Sequence, residues 1–278
     1  MNVLTELACE NRNNYNRYLD RMTKSYNYSS KQLIPSYVTG ENILDVGCGS
    51  GVLIEKLNSI YPDKNIEGID LNENAIKVCR DKNLNVRCID LKDVEDNKYD
   101  TIIFSSILHE VSSYDSNLPY TIYPIIDILK TARQKLNDTG HIIIRDGVQA
   151  EPKVICLEFK NDNMIDEIKQ YFEDAPMFVC QYLRIDNNKI YGNAHFLKEF
   201  LFTYTWGKDS YFREVKEKYG ILTPYKWKEC VIKSGYRIHQ LITYPEEYVK
   251  YLSKYIVPNK DFIQLFDRST IMIIATKN

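Results

Sequence analysis

The sequence predicts an α/β fold in which a parallel sheet is covered by helices on both faces. Between residues 43 and 146, short apolar segments typical of strands alternate with segments of helical spacing. Residues 101–104 (TIIF) are apolar on both faces, as a central parallel strand is. A glycine-rich turn at 47–51 follows the first predicted strand, which is where such sheets bind ligands.

The predicted elements follow one another in regular order. Residues 1–40 predict a leading helical segment, because apolar side chains from Leu4 to Met22 recur at near-helical spacing. Strands are then predicted at 43–47, 66–70, 86–90, 99–106 and 141–146, with helices near 52–60, near 73–82 and within 118–137. This order gives a strand–helix repeat long enough for five strands of one sheet.

The alternation stops between residues 151 and 223 and then resumes. This block holds 14 of the chain's 34 aromatic residues, and 164–172 and 196–204 have helical spacing, so it predicts a mostly helical insertion. Thr223 and Pro224 then fit the N-cap and first residue of a helix that stops at Gly235. Residues 236–242 and 270–275 predict the last two strands.

Composition excludes several classes of protein. The 36 basic and 38 acidic residues leave a net charge of −2, which gives no strong nucleic-acid footprint. Seven cysteines without a C-x-x-C pair favour neither a disulfide framework nor a zinc site, and Cys48 in the glycine turn suits a reducing setting. Without a secretory signal or an apolar run of about eighteen residues, we expect a cytoplasmic protein that does not cross a membrane.

The glycine turn indicates a seat for a charged ligand. Glycines at 47, 49 and 51 leave the backbone open to close approach, and the helix that follows directs its free N–H groups at the turn. The spacing is G-x-G-x-G. A dinucleotide fingerprint, G-x-G-x-x-G, requires glycine where Val52 stands, so the pattern disfavours a nicotinamide cofactor.

The motifs around this turn resemble the class I S-adenosylmethionine (SAM)-dependent methyltransferases. Residues 45–51 (DVGCGSG) resemble the first motif of that family, and Asp70 and Asp90 end the next two strands as its acids do. Residues 105–111 (SSILHEV) resemble the small-molecule and quinone branch. The resemblance covers about 40–147 and 224–278. It implies a Rossmann-like, doubly wound seven-stranded sheet of order 3-2-1-4-5-7-6, with the last strand antiparallel.

The resemblance also implies the cofactor site. SAM would bind and S-adenosylhomocysteine (SAH) would be released. The first-motif residues would hold the methionine part, Asp70 with Leu71 the ribose, and Asp90 with Leu91 the adenine, since ionised carboxylates accept hydrogen bonds from both. The expected cofactor-binding residues are Asp45, Gly47, Cys48, Gly49, Gly51, Asp70, Leu71, Asp90, Leu91 and Ser105.

Two residues are candidates for catalysis. His109 follows the fourth strand and could act as a general base, although it could instead only shape the pocket. Asp146 follows the fifth strand and could orient His109 or an acceptor hydroxyl. His195 in the insertion ranks below His109. The sequence shows no cluster like the metal site of catechol-type methyltransferases, so we expect no metal.

These expectations give one preferred function and two alternatives. The chain divides into an N-terminal helical lid (1–40), a SAM-binding core (41–150), a helical cap insertion (151–223) and a C-terminal part of the core (224–278). The preferred function is methyl transfer to a small molecule, with oxygen slightly preferred. An RNA methyltransferase could use Arg12, Arg17, Arg21 and Lys24 or the block 208–228; a non-catalytic SAM-binding module is the second alternative. The aromatic insertion leaves a homodimer open.

Overall fold

The fold is known from a computed structural model that describes residue 19 and residues 29–161, 163–177, 183–245 and 248–278. Most of the predicted N-terminal lid, including Arg12, Arg17, Arg21 and Lys24, lies outside the described residues. Within the lid range, Ser30–Tyr37 forms a 3-10 helix that packs beside the sheet, with Ile34 fully buried. The lid and the other domain boundaries stay predictions.

The described residues form two sheets and the helices that cover them. In chain order the strands are β1 Asn42–Val46, β2 Asn65–Ile69, β3 Val86–Arg87, β4 Tyr99–Ser105, β5 Leu136–Gly147, β6 Val154–Glu158, β7 Arg184–Asp186, β8 Lys189–Asn193, β9 Tyr236–Tyr244 and β10 Thr270–Lys277. The α-helices are α1 Val52–Ile60, α2 Glu73–Asp81, α3 Leu108–Ser113, α4 Tyr123–Lys135, α5 Asn163–Asp174, α6 Ala194–Trp206, α7 Tyr211–Glu214, α8 Pro224–Lys233, α9 Tyr248–Leu252 and α10 Lys260–Phe266. Further 3-10 turns lie at Leu91–Asp93 and Lys208–Ser210.

The larger sheet has the strand order β3-β2-β1-β4-β5-β10-β9. Strands β1 to β5 pair in parallel, and β10 runs antiparallel to both of its neighbours. Numbered as the strands of one sheet, this is the order 3-2-1-4-5-7-6 with the last strand antiparallel. The predicted Rossmann-like, doubly wound sheet is therefore confirmed.

Both faces of this sheet are buried, which explains the apolar strands. In β4, Ile102 and Phe104 pack with α4 and α8 on one face, whereas Ile103 packs with α1 and α2 on the other. On the first face, Trp227 of α8 is fully buried and its indole N–H donates to the Gly147 carbonyl oxygen at 3.1 Å. A helix layer on each side thus places the loops that bind ligands along the carboxyl edge of the strands.

The insertion after β5 has a core of its own that contains strands as well as helices. Helices α5 and α6 contain the two segments of helical spacing, but β6, β8 and β7 form a three-stranded antiparallel sheet that this spacing did not reveal. After β9 the chain returns to this second core, where Phe262 and Phe266 of α10 are buried with Phe200 and Leu201 of α6. None of the described helices is long and apolar enough to span a bilayer.

The insertion meets the sheet at the end of β5. An added Cβ at Gly147 would lie 2.3 Å from the carbonyl oxygen of Tyr219. Tyr219 and the residue that follows it are held in place, because the Glu199 carboxylate accepts hydrogen bonds from the N–H groups of Tyr219 at 2.7 Å and Gly220 at 2.8 Å. The absence of a side chain at Gly147 therefore allows the insertion to close over the sheet edge.

Replacing Gly147 should loosen this contact. We expect Gly147→Ala to lower the free energy of unfolding by about 1–3 kcal/mol, because the methyl group meets backbone that has to shift. Gly192→Ala is the matched control, since its added Cβ meets only the flexible tip of Leu183 at 2.8 Å. Urea unfolding measures both variants, and equal losses in the two would contradict the proposed close packing.

Candidate active site

The glycine turn between β1 and α1 has the backbone that the sequence predicts. Gly47, Gly49 and Gly51 all have left-handed φ angles of +70°, +52° and +75°. Side chains of Ile107 and Leu84 occupy the positions where a Cβ on Gly47 or Gly51 would lie. Glycine is thus required at both positions for backbone conformation and for space. No side chain from the described residues caps the N terminus of α1.

Asp70 ties this turn to the end of β2. Its Oδ2 accepts a hydrogen bond from the Gly49 N–H at 2.9 Å, and its Oδ1 accepts one from the Asn72 N–H at 2.8 Å. The N–H groups of Gly47 and Cys48 donate to the Ile69 carbonyl oxygen at 2.8 and 3.0 Å. The seat is thus rigid, and Asp70 stands beside it at the carboxyl edge of the sheet.

His109, which follows β4, and Asp146, which lies near the end of the neighbouring strand β5, are in direct contact. The Asp146 Oδ1 lies 2.8 Å from Nδ1 of His109, and both side chains are buried. The other oxygen of Asp146 accepts hydrogen bonds from the backbone N–H groups of Leu108 at 2.9 Å and His109 at 3.2 Å. Asp146 therefore fixes both the start of α3 and the orientation of the imidazole ring.

A cleft opens above these groups, between the sheet edge and the insertion. Its cavity volume is about 100 Å³, and it is open to solvent. The sheet edge contributes Ser106, His109, Glu110, Arg145, Asp146, Gly147, Ser269 and Thr270, the insertion contributes Phe202, Trp206, Glu214, Glu217 and Tyr219, and the N-terminal segment contributes Ser29 and Lys31. Its position at the carboxyl edge of the parallel strands is where such sheets bind ligands.

Comparison with known proteins settles the family. A family model described as a methyltransferase domain matches residues 38–200, which is more than half of the chain. The chain belongs to this methyltransferase family. The predicted resemblance to class I SAM-dependent methyltransferases is thus confirmed, with SAM as the cofactor that the family implies.

The relatives of this methyltransferase share only part of their length with it. It is 30% identical over 126 residues to a malonyl-[acyl-carrier protein] O-methyltransferase of Acetivibrio thermocellus, covering 44% of the chain and 43% of the relative. It is 26% identical to a release factor glutamine methyltransferase of Fusobacterium nucleatum, covering 47% of the chain and 44% of that relative. The chain thus spans less than half the length of these curated relatives.

Two solved structures are similar to this chain in fold, and at their low sequence identity they bear on the fold only. The SAM-dependent methyltransferase from Mesorhizobium loti superposes with a TM-score of 0.53 at 14% identity, covering 90% of this chain and 99% of that one. A Haloferax volcanii methyltransferase, solved in complex with the Trm112 methyltransferase activator, gives a TM-score of 0.55 at 11% identity, covering 94% and 93%.

Some of the residues predicted to bind SAM offer a side chain to a ligand, whereas others have side chains that are buried in the core. Leu71 is 53% exposed, and the Ser105 hydroxyl is buried without a hydrogen-bond partner among the described residues, so a bound cofactor could cover or pair with them. The side chains of Cys48 and Leu91 instead lie in the core, which leaves only their backbone for SAM. Asp90 caps the 3-10 turn after β3 by accepting from the Lys92 N–H at 3.0 Å.

Asp45 has unusual electrostatics for the first acid of the motif. Burial raises the pKa of Asp45 to about 7, against the opposing effect of Lys31 and with a further contribution from Asp70. Burial also raises the pKa of Asp70, although backbone N–H groups oppose the rise. The buried acids of the seat therefore favour a positively charged neighbour, such as the amino group of the methionine part.

The surroundings of His109 favour its protonated form. Burial alone would lower the pKa of His109, but the charges of Asp146 and Glu217 hold it well above the usual value of 6.5. Burial acts in the opposite direction on Asp146, whose pKa is nevertheless lowered by His109 and by backbone N–H groups. A histidine that keeps its proton at neutral pH is a poor general base, so the geometry gives more support to a structural or electrostatic role.

The sequence did not reveal the acid side of the cleft. The Glu217 Oε2 lies 3.6 Å from Nε2 of His109, and its Oε1 accepts a hydrogen bond from the Tyr114 hydroxyl at 2.9 Å. Glu214 pairs with Arg213 at 3.1 Å and accepts a hydrogen bond from the Tyr219 hydroxyl. Within the described ranges, ligand atoms of His109, Glu110 and Glu217 lie within 4.8 Å of one another, a spacing that could hold a metal ion. The expectation of no metal stays a prediction.

The remaining histidines lie away from the cleft. His195 is buried in α6, where burial lowers its pKa to about 3, and it does not line the cleft. His141 begins the buried part of β5 and contacts the Tyr37 carbonyl oxygen at 2.9 Å. Lys31 and Arg145 are cleft residues that sequence reasoning did not select, although Arg145 directly precedes Asp146 at a strand end.

Loss of the Asp70 carboxylate should weaken cofactor binding. We expect Asp70→Ala to cost about 1–3 kcal/mol of SAH binding free energy, because ribose hydroxyls and the Gly49 N–H would lose their acceptor. Isothermal titration calorimetry measures the change, and Asp63→Ala at an exposed position is the control. Unchanged affinity would show that the ribose binds elsewhere.

The proton on His109 should make stability depend on pH. Because the folded pKa exceeds the unfolded one, His109 contributes stability that is fully present below about pH 6.5 and is lost as pH rises through the folded value. The difference in unfolding free energy between the wild type and His109→Gln should therefore shrink from pH 6 towards pH 9. Urea unfolding at each pH measures it. A difference that grows with pH would contradict a raised pKa, and NMR of the imidazole nitrogens would identify the protonation state directly.

Proposed function

We propose that this methyltransferase transfers a methyl group to a small molecule held in the cleft beside the glycine turn. The observation that carries the proposal is the position of the cleft. It opens at the carboxyl edge of β4 and β5, next to the predicted SAM seat, and the insertion covers it. A recess between the sheet edge and the insertion suits a small acceptor better than a folded macromolecule.

Separate groups of residues would bind the methyl donor and the acceptor. Gly47, Gly49 and the N terminus of α1 would hold the methionine part, while Lys31 and Arg145 could neutralise its carboxylate. Asp70 would bind the ribose hydroxyls. SAM supplies an activated methyl group on a sulfonium, so the protein has mainly to align donor and acceptor.

On the acceptor side, His109 would act as a fixed positive group rather than as a base. Its ring lies 5.2 Å from the ring of Tyr219 and is held between Asp146 and Glu217. The nearby carboxylates of Glu110 and Glu217 are then the better proton acceptors. The predicted preference for an oxygen acceptor, which rested on the resemblance after the fourth strand and on the weak net charge, stays a prediction.

The two relatives suggest different acceptors. The names of the relatives refer to a malonyl group and to a release factor glutamine. This chain lacks the Asn/Asp-Pro-Pro-Tyr/Phe motif typical of methylation of glutamine and of exocyclic amines in DNA, since residues 105–108 read SSIL after β4. A malonyl carboxylate would face the buried acids of the cleft. Neither acceptor is therefore favoured for this chain.

The RNA alternative has less support in the block 208–228. Arg213, Glu214 and Glu217 from that block are buried against the cleft and cannot form an RNA surface. Its exposed basic residues include Lys208, Lys226 and Lys228. Arg12, Arg17, Arg21 and Lys24 of the N-terminal segment lie outside the described residues, and a homodimer through the insertion stays a prediction.

The acceptor class can be tested by following a labelled methyl group. The protein is incubated with SAM carrying a labelled methyl and with a cell extract divided into small-molecule, RNA and protein fractions. We expect the label to enter the small-molecule fraction and to depend on an intact Asp70. Label recovered mainly in RNA or protein would overturn the proposal. If Asp70→Ala still transfers the label when SAM is saturating, the variant is impaired in cofactor binding and not in its choice of acceptor.

A further inference from the structure

The acid side of the cleft carries more negative groups than positive ones. Four carboxylates, those of Glu110, Asp146, Glu214 and Glu217, converge there, and two cations, His109 and Arg213, face them. The Asp146 carboxylate pairs with His109, and the Glu214 carboxylate pairs with Arg213. Glu217 is only 3.6 Å from His109, and the Glu110 carboxylate makes no hydrogen bond or ion pair with another described side chain. Two negative charges are left facing the cleft without full compensation.

Burial makes this surplus costly when the cleft is empty. Burial raises the pKa of Glu110 and of Glu214 to about 8 each, and the charge of Glu217 adds to both shifts. A positive charge that enters the cleft would therefore be stabilised by these carboxyl groups. The hydroxyls of Tyr114 and Tyr120 also face Glu217, but they add no positive charge.

Aromatic rings complete the walls of the same space. Phe202, Trp206 and Tyr219 line the cleft from the insertion side. The rings of Phe202 and Tyr219 lie 5.4 Å apart, and Tyr219 also stacks at 5.2 Å on His109. Ring faces combined with uncompensated carboxylates form the setting in which proteins bind ammonium groups, through cation–π attraction and charge. This aromatic wall is independent of the acids and points to the same ligand.

We propose that the acceptor is a cationic amine, whose nitrogen binds between Glu110, Glu217 and the aromatic wall and receives the methyl group there. The inference rests on the proposed function and names its acceptor class. The position fits transfer, because the cleft residues Ser106 and His109 flank Ile107, whose side chain lies against Gly47 of the glycine turn. Lys31 and Arg145 also line the cleft, but neither is among the principal charges that act on Glu110 or Glu214.

The chemistry balances with the groups present. The bound ammonium first gives a proton to a carboxylate oxygen of Glu110 or Glu217, which frees the nitrogen lone pair. The nitrogen then forms a bond to the methyl carbon while the carbon–sulfur bond breaks and its electron pair stays on sulfur. The products are a methylated ammonium, the neutral thioether SAH and a protonated glutamate, which returns its proton to solvent when the product leaves. No oxidant or metal ion is needed.

Three matched probes test this inference on the SAH-loaded protein. Benzylamine, benzyl alcohol and benzoate share size and ring but differ in charge, and calorimetry at neutral pH measures their affinities. We expect the amine to bind about tenfold or more tightly than the alcohol, with benzoate weakest. In Glu110→Gln and Glu217→Gln the preference should fall to about twofold, because the neutral amide keeps the shape and removes the charge. Glu229→Gln on the surface of α8 removes a charge elsewhere and should keep the full preference.

Several results would overturn the inference. Alcohol or benzoate binding as tightly as benzylamine would do so, as would no amine binding at about 10 mM, a concentration that detects even a weak fragment. If Glu110→Gln and Glu217→Gln weaken the binding of SAM but leave the binding of SAH unchanged, the two acids stabilise the sulfonium of SAM and not an amine. Tight Mg²⁺ or Mn²⁺ binding that excludes the amine would assign His109, Glu110 and Glu217 to a metal ion.

Two further measurements keep these outcomes separate from folding and from the proposed function. Thermal unfolding of each variant shows whether it is folded, and Glu110→Gln is the more robust test because its carboxylate has no partner to lose. If SAH itself fails to bind the wild type, the proposed function fails. If SAH binds and the amine preference is absent, only the acceptor class is wrong.

Discussion

The buried carboxylate of Asp146 is the constraint on which the geometry around His109 depends. It accepts hydrogen bonds from the backbone N–H groups of Leu108, His109 and Gly147 and contacts Nδ1 of His109 at 2.8 Å. One side chain thus joins the end of β5 to the start of α3. Removing it would leave several buried donors unpaired, each at a cost of about 1–3 kcal/mol. The orientation of His109 follows from this single group.

Local chemistry made the core of the fold predictable. The apolar strands, the glycine turn and the capped helix at Thr223 each reflect neighbouring residues, and the structure has them close to the expected limits. Strand order came from the family resemblance, because periodicity carries no information on which strands are neighbours. The third strand was predicted at 86–90 and ends at Arg87, since Asp90 turns to cap the next 3-10 helix. The small sheet of the insertion was missed, because the helical spacing of α5 and α6 dominated the pattern.

The site was predictable only where it follows the ends of neighbouring strands. His109 and Asp146 could be paired from sequence, because β4 and β5 were expected to lie side by side. Glu217 could not, because its approach to His109 depends on how the insertion folds back over Gly147. The protonation of His109 was hidden for the same reason, since its pKa depends on charges supplied from distant parts of the chain.

The clamp formed by Glu199 has a consequence for how this enzyme can diverge. By holding Tyr219 and Gly220, it attaches one wall of the cleft to the insertion's own core, whereas the glycine turn rests on β1, β2, α1 and α2. The wall between residues 202 and 219 and the glycine turn therefore belong to separate hydrophobic cores. Sequence change in that wall is thus insulated from the backbone that forms the turn.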